Sequence, residues 1–548
     1  MSTPADLPPA PLALDKRAQR NILVAMLTAL IAVIASVSGL NVAQQGLAID
    51  LGASQGTVLW IINAYTLALA ALLMPIGAIG DRWGRKPVLM AGLVLFGLAA
   101  VVAAIAPSAG VMIAARVAAG AGAAMIMPVT LSVITSSFPP EERARAIGLW
   151  AGFAGSGGMI GLFVSAFMVD VLDWRWTFVL PIVLSAVSLA VTALHVPNSR
   201  EGAVHPFDTG GSVLSALAIG GLVLGIHEGP EKGWGHPLTI VGLVVGVAAL
   251  LGFVVWERRQ TEPLLDLSAF ADRGLASGSA TLLIVFAVMF GIFLVLFPFF
   301  QAVIGWSALR SAAAMLPMAV AMMPMSTVAP QIAQRIGSRR TMLIGLSLFA
   351  LGLVTLALRA SVEGGYLSVL PGLVIMGLGM GMTMTPSTAA ITETLPTEKQ
   401  GVASALNDTS REIGGAIGVA LLGSILSSGY RSAIEPALQG LPRGWPSRPA
   451  RASAAFAVAA NARPARRPLI IDAAKHAFVE GWVRSMWVGV AMAGVAIVFV
   501  VVRGPVGARS SSGAPAPDGA TWPCSPPTNA APPHTAATPT GTARHRWA

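Results

Sequence analysis

Apolar residues along this chain gather in long unbroken runs separated by short polar stretches, with no two-residue alternation. Runs of spanning length fall at 21–42, 57–80, 87–106, 110–135, 146–170, 176–196, 212–228, 238–256, 275–301, 311–332, 341–359, 366–391, 401–427 and 483–503. A helix needs about 17–25 residues to cross the hydrocarbon core of a bilayer, and a membrane strand only about 9–11. That core holds no water, so the backbone must satisfy its own hydrogen bonds, and runs of this length predict helices. The pattern therefore predicts an all-α polytopic membrane protein with fourteen transmembrane helices. Residues 1–20 and 504–548 are poor in core-forming residues and predict disordered tails, while 428–482 reads as a long loop before the last helix.

Composition agrees. Of the 548 residues, 55% are hydrophobic and only 11% charged, where a soluble domain carries about 25% charged residues. The lipid bilayer is thus the first partner. A net charge of +10 would suggest nucleic acid in a soluble protein. Here the cations sit in short loops between apolar runs, so no nucleic-acid partner is expected. With the N-terminus in the cytoplasm, about 20 Lys and Arg fall on that side, among them Lys16, Arg17, Arg82, Lys86, Arg143, Arg258, Arg339 and Arg340, against about four in short outside loops. Both termini are then cytoplasmic, in a multi-pass protein of the cell's inner (plasma) membrane. The loop 428–482 falls outside despite its arginines, because long loops translocate with less regard to charge. The single cysteine, Cys524, excludes a disulfide framework. No Gly-Lys-Ser/Thr phosphate loop and no His-Glu-x-x-His pair occurs, so neither an enzyme nor a cofactor or metal is expected.

The chain also repeats itself. Phe138-Pro139-Pro140-Glu141 through Gly161 matches Leu395-Pro396-Thr397-Glu398 through Gly418 without gaps, at an offset of about 257 residues. Within it, Gly157-Gly158-Met159-Ile160-Gly161 echoes Gly414-Gly415-Ala416-Ile417-Gly418, and Arg82-Trp83-Gly84 echoes Arg335-Ile336-Gly337. Repeats that start from the same side imply two parallel halves related by an axis along the membrane normal. The expected organisation is a six-helix half at 21–196, two inserted helices at 197–260, and a second six-helix half at 261–503.

The sharpest local signal is Gly77-Ala78-Ile79-Gly80-Asp81-Arg82-Trp83-Gly84-Arg85-Lys86 between helices 2 and 3. Glycines let a tight turn bring helix ends close. Asp81 can accept from the N-terminal amides of a neighbouring helix and from a basic side chain, so Gly77, Asp81, Arg82, Gly84, Arg85 and Lys86 read as a conformational latch. Arg116 lies inside helix 4, ahead of Gly120-Ala121-Gly122 and Pro128, where a charge tends to face a cavity or a partner. These motifs resemble the loop signature and the intramembrane arginine motif of the major facilitator superfamily. Trp174-Arg175-Trp176-Thr177-Phe178, Pro263-Leu264-Leu265-Asp266 and Ser410-Arg411-Glu412-Ile413-Gly414-Gly415 are similar to segments of its fourteen-helix drug:proton antiporter branch, the multidrug efflux type. The resemblance implies alternating-access export of hydrophobic or amphiphilic small molecules, driven by a proton gradient.

Two departures change what is expected of the coupling. Ser36 stands where the branch typically has an aspartate before Asn41-Val42-Ala43, and Leu162 with Ser165-Ala166 replaces a proline and a glycine pair in helix 5. The branch pattern also has a glutamine where Glu412 stands. Asp408 and Glu412 share one helix face with Arg411 between them. Two carboxylates at low dielectric compete for that one cation, which makes Glu412 the candidate proton carrier, the alternative being an Asp408–Arg411 pair that braces the helix with Glu412 facing water in the cavity. The substrate cavity is expected from Ser38, Asn41 and Gln45 on one face of helix 1 and from Trp60, Asn63 and Tyr65 on helix 2. Met315, Met318, Met322, Met323 and Met325 make helix 10 methionine-rich, which suits either a wall for varied apolar ligands or, as the preferred reading, a lipid-facing surface. A transport-deficient membrane sensor, or uptake in place of efflux, are the alternative functions. Substrate identity and oligomeric state are not written in these motifs.

Overall fold

The computed structural model describes residues 15–199, 207–438 and 467–505. Among them, fourteen helices are long and apolar enough to cross a membrane. In chain order these are α1 (Lys16–Asp50), α2 (Gln55–Trp83), α3 (Arg85–Ala104), α4 (Ala109–Ser137), α5 (Pro140–Val171), α6 (Val179–His195), α7 (Thr209–Lys232), α8 (Pro237–Glu257), α9 (Arg273–Pro298), α10 (Leu316–Ile336), α11 (Ser338–Arg359), α12 (Gly365–Thr394), α13 (Gln400–Leu438) and α14 (Arg467–Arg503). A 3₁₀ turn, Trp174–Phe178, leads into α6. A π-helical turn, Phe299–Val303, and a short helix, Ala308–Ala313, join α9 to α10.

Helix ends differ from the hydrophobic pattern in two places. Helix α1 begins at Lys16, so residues 16–20 belong to it and not to a disordered tail. The loop expected at 428–482 is much shorter, because α13 continues to Leu438 and α14 begins at Arg467. The remaining 439–466, like most of both tails, lie outside the described residues. The extra turns hold because the two helices pack on each other. A Cβ on Gly429 would lie 2.9 Å from Gly481 Cα, and Tyr430, Ile434, Ile470, Phe478 and Trp482 are buried. One apolar stripe suffices for such a pair, and averaging over a window dilutes it.

Helix α1 packs on α5 and α6, α2 and α3 on α4, and α3 on α6. Among the later helices, α9 packs on α12, α13 and α14, while α10 and α11 pack on α12. The two groups meet where α2 and α4 touch α13 and where α5 touches α10 and α12. Between lipid-solvated helices no hydrophobic force selects neighbours, so close packing of small residues does. The internal repeat appears in this packing. A Cβ on Gly161 would lie 2.7 Å from Ala35 Cα, and its repeat mate Gly418 sits against the backbone of Ala287. Ser165 of α5 is accommodated by a glycine on its partner: a Cβ on Gly39 of α1 would lie 2.8 Å from Ser165 Oγ. Helices α7 and α8 pair through Gly221, Gly225, Gly242 and Gly246, and α7 also lies against α2 and α13.

Candidate functional site

Helix α2 ends at Gly84, whose φ of +108° is a left-handed conformation that suits glycine. Its repeat mate Gly337, at φ +90°, turns α10 into α11 in the same way. That turn carries Asp81 to the start of α13. The carboxylate is 3% exposed. It accepts from the Gly401 amide at 2.8 Å to each oxygen and from the Val402 amide at 3.2 Å. Arg85 donates to the same group through Nε at 3.1 Å and a terminal nitrogen at 2.8 Å. An anion on the first turn of a helix meets unpaired amides and the positive end of the dipole. Gly77 makes the approach possible: a Cβ there would lie 2.6 Å from Gly401 O and 2.8 Å from Ala405 Cβ. Lys86 donates to the Ala193 carbonyl in the last turn of α6 at 2.9 Å. Arg82 is half-buried beside the cluster. The repeat mate of Asp81 is Gln334, so only the first copy of the turn places an acid here.

At the opposite end of the bundle, Asp50 closes α1. It accepts from Trp174 Nε1 at 2.9 Å and from Arg175 at 2.6 Å. These hydrogen bonds hold its carboxyl below its ordinary pKa of 3.8. The Trp-Arg-Trp motif thus fastens the α5–α6 connection to the end of α1.

Between these ends lies a cavity of about 340 Å³ lined by both helix groups. Its walls are residues 33–44 of α1, 154–162 of α5, 286–298 of α9 and 411–419 of α13, with Thr66, Leu69, Met127 and Met315. On α1, α9 and α13 these stretches lie away from the Asp81 end, where the two groups pack directly. The cavity therefore occupies the middle of the bundle and the part toward Asp50. Phe286, Phe290, Phe293 and Phe297 supply much of its surface, and Ser38, Asn41, Gln44, Thr66, Arg411 and Glu412 its polar groups. Glu412 has no hydrogen bond or ion pair of its own among the described residues. Arg411 is engaged elsewhere, with Asp408 at 3.3 Å and with the Ala154 carbonyl at 3.0 Å.

Of the residues the sequence nominates for this cavity, Ser38 and Asn41 line it. The Gln45 side chain lies outside the described residues. Trp60, Asn63 and Tyr65 are not in the lining. Helix α2 turns Thr66 and Leu69 inward, and Trp60 and Tyr65 lie about 100° or more around the helix from Thr66. Trp60 instead faces Lys232 of α7, 5.6 Å from its ring, and Asn63 sits a turn beyond the lining. Tyr65 is fully buried, donating to the Val33 carbonyl at 3.2 Å beneath the Arg116 guanidinium, which lies 4.2 Å from its ring. Arg116 does not reach the cavity. It is 1% exposed and donates to Ser36 Oγ at 2.9 Å and the Ile61 carbonyl at 3.4 Å. Met318 and Met322 of α10 are fully buried rather than lipid-facing, because Gly377, Gly155 and Gly381 make room for them. The phenylalanine stripe on α9 goes unnoticed in the sequence, although its spacing of four, three and four residues marks one helix face.

The profile of the Major Facilitator Superfamily matches residues 24–419. The chain belongs to that superfamily. It is therefore a membrane transporter and not an enzyme. Among its superfamily relatives, the Multidrug resistance protein Stp of Mycobacterium tuberculosis is 33% identical over 381 residues, covering 69% of this chain and 71% of that one. The Puromycin resistance protein pur8 of Streptomyces alboniger is 31% identical over 74% of this chain and 81% of its own. The Methyl viologen resistance protein SmvA of Salmonella typhimurium is 30% identical over 84% and 93%. The superfamily fold is seen in the proton:xylose symporter XylE, with a TM-score of 0.57, 14% identity and coverage of 90% of this chain and 97% of that one. The human organic anion transporter MFSD10 aligns at a TM-score of 0.55 and 12% identity over 88% and 99%.

Proposed function

We propose that this transporter exports hydrophobic or amphiphilic small molecules, cations among them, by alternating access, in exchange for protons that bind at Glu412. The observation that carries this reading is the cavity: walls from both halves, rich in phenylalanine and methionine, and one carboxylate that accepts no hydrogen bond among the described residues. Apolar, polarizable walls accept varied hydrophobic ligands. A carboxylate without a hydrogen-bond donor among them leaves much of its charge to be met by a proton or by a cationic ligand. The resistance functions in the names of the relatives support efflux as the direction. With the termini cytoplasmic, the packed Asp81 end faces the cytoplasm, and the cavity belongs to the conformer closed on that side. Proteoliposomes with an internal pH dye, given a lipophilic cation such as tetraphenylphosphonium, test the reading. Wild type moves substrate against its gradient when a proton gradient is imposed and releases the dye signal in step. Glu412→Gln loses proton-driven accumulation. Concentrative, proton-driven flux through the Gln variant would remove Glu412 from the mechanism.

A further inference from the structure

Arg411 and Ala154 stand 257 residues apart, the offset of the internal repeat, so each occupies the other's equivalent place in α13 and α5. They face each other across the axis between the halves. The first half has a methyl group there and the second a guanidinium, which leaves space for one long side chain to cross. Arg411 takes it, donating to the Ala154 carbonyl at 3.0 Å. Its ring neighbours are Phe286 at 4.5 Å and Trp150 at 5.4 Å, and Trp150 is itself fixed to Thr130 Oγ1 at 3.1 Å. Helix α5 packs on α10 and α12 rather than on α13, so this side chain spans a gap that the backbones leave open. Ala154 and Arg411 are the lining residues of α5 and α13 nearest the Asp81 end. A ligand passing from the cavity toward that end has to part them.

The same group holds a second arrangement in reserve. Arg411 makes only one contact with Asp408, to Oδ1 at 3.3 Å. Arg411 Nε and Asp408 Oδ2 are both buried with no partner. Asn407 and Thr388 continue the chain of bonds, Asn407 Nδ2 to Asp408 Oδ1 at 3.2 Å and Thr388 Oγ1 to Asn407 Oδ1 at 3.0 Å. They leave those two atoms free. A guanidinium and a carboxylate with matching unused edges form a two-pronged pair once the guanidinium is released, and a buried network left half-satisfied is one with an alternative to go to.

We infer that Arg411 is a two-state positioning residue. In the conformer closed at the Asp81 end it ties α13 to α5 through the Ala154 carbonyl, and as the halves part it forks onto Asp408. The inference rests on alternating access but not on the route of the proton. It predicts opposite effects from the two members of one ion pair. Arg411→Met removes the cross-half tie and favours opening at the Asp81 end. Asp408→Asn removes the alternative partner and favours the closed form.

The test uses the full chain in lipid nanodiscs, with Cys524→Ser and spin labels at the exposed Arg145 and Glu398, one on each half at the Asp81 end. Distance distributions across acidic and alkaline buffers give the open-to-closed ratio, with melting temperature as the folding control. Arg411→Met is expected to raise that ratio roughly tenfold and Asp408→Asn to lower it, while Arg411→Lys, which keeps the charge but has no fork, falls between wild type and Met. A merely structural pair loses stability with either substitution and moves the ratio the same way or not at all, and that result overturns the tie. A single unchanging distance in wild type and every variant overturns alternating access itself, and so is distinguishable from failure of the tie alone.

Discussion

Replacing Asp81 by asparagine tests whether the cluster at the start of α13 is a latch or ordinary surface charge. The carboxylate takes part in two sets of contacts. Arg85 lies four residues on in the same half and travels with it, so that pair survives any relative movement of the halves. The Gly401 and Val402 amides belong to the other half, and only these bonds are lost when the ends separate. A backbone donor to a charged acceptor contributes about 1.5–3 kcal/mol when buried. Asparagine keeps one acceptor oxygen and turns a competing N–H toward the other donors, so roughly half of the two-amide interaction goes, about 1.5–3 kcal/mol. At about 1.4 kcal/mol per decade, the ratio of closed to open conformers falls roughly 10- to 100-fold. Side-chain volume hardly changes, and the expected melting temperature and expression are near those of wild type. Double electron–electron resonance between labels on α2 and α13 at the Asp81 end, in a chain with Cys524 replaced, reads the ratio directly, and flux in proteoliposomes falls with it. A well-folded variant with the wild-type distance distribution and normal flux would show that the amides of α13 do not hold the halves together.

Three other outcomes follow from the packing and the charge pattern. Gly246→Leu puts a side chain against the Leu222 backbone in the α7–α8 contact and lowers stability by about 1–3 kcal/mol; an unchanged thermal midpoint in detergent would refute close packing of that pair. The Asp50 carboxyl is held below its ordinary 3.8, so its stabilising contact is fully present above that value and is lost as pH falls through the lower folded-state value. Asp50→Asn therefore flattens the acid side of a melting-temperature profile, by a small amount given the group's exposure, and leaves neutral and alkaline values nearly parallel to wild type. With the termini cytoplasmic, a cysteine introduced at position 450 reacts with an impermeant maleimide in intact cells; reaction only after permeabilisation would reverse the assigned sidedness of the α13–α14 connection.

What the sequence makes legible depends on how far the deciding interaction reaches along the chain. Spans are legible because the bilayer sets their length, and a run of about 20 apolar residues has no other solvent. The partners of Asp81 are legible in kind, as amides at a helix start and a nearby cation, because only such groups answer a buried carboxylate beside a glycine turn. Which helix supplies them is a contact over 320 residues, and the turn alone does not name α13. The cavity is less legible still. Ser38 and Asn41 share a face that the period of one helix reveals, but Tyr65 and Thr66 are adjacent, and only the neighbours of α2 decide which looks inward. Tyr65 is claimed by Arg116, itself left without an acid by Ser36, so a polar residue that reads as cavity wall becomes the floor beneath a buried cation. The repeat offers the remaining clue. Because residues at matching positions of two parallel halves approach each other near the axis between them, an offset of 257 pairs Arg411 with Ala154 before any coordinate is known. The sequence carries that pairing, and the separation of α5 and α13 decides whether a side chain can bridge it.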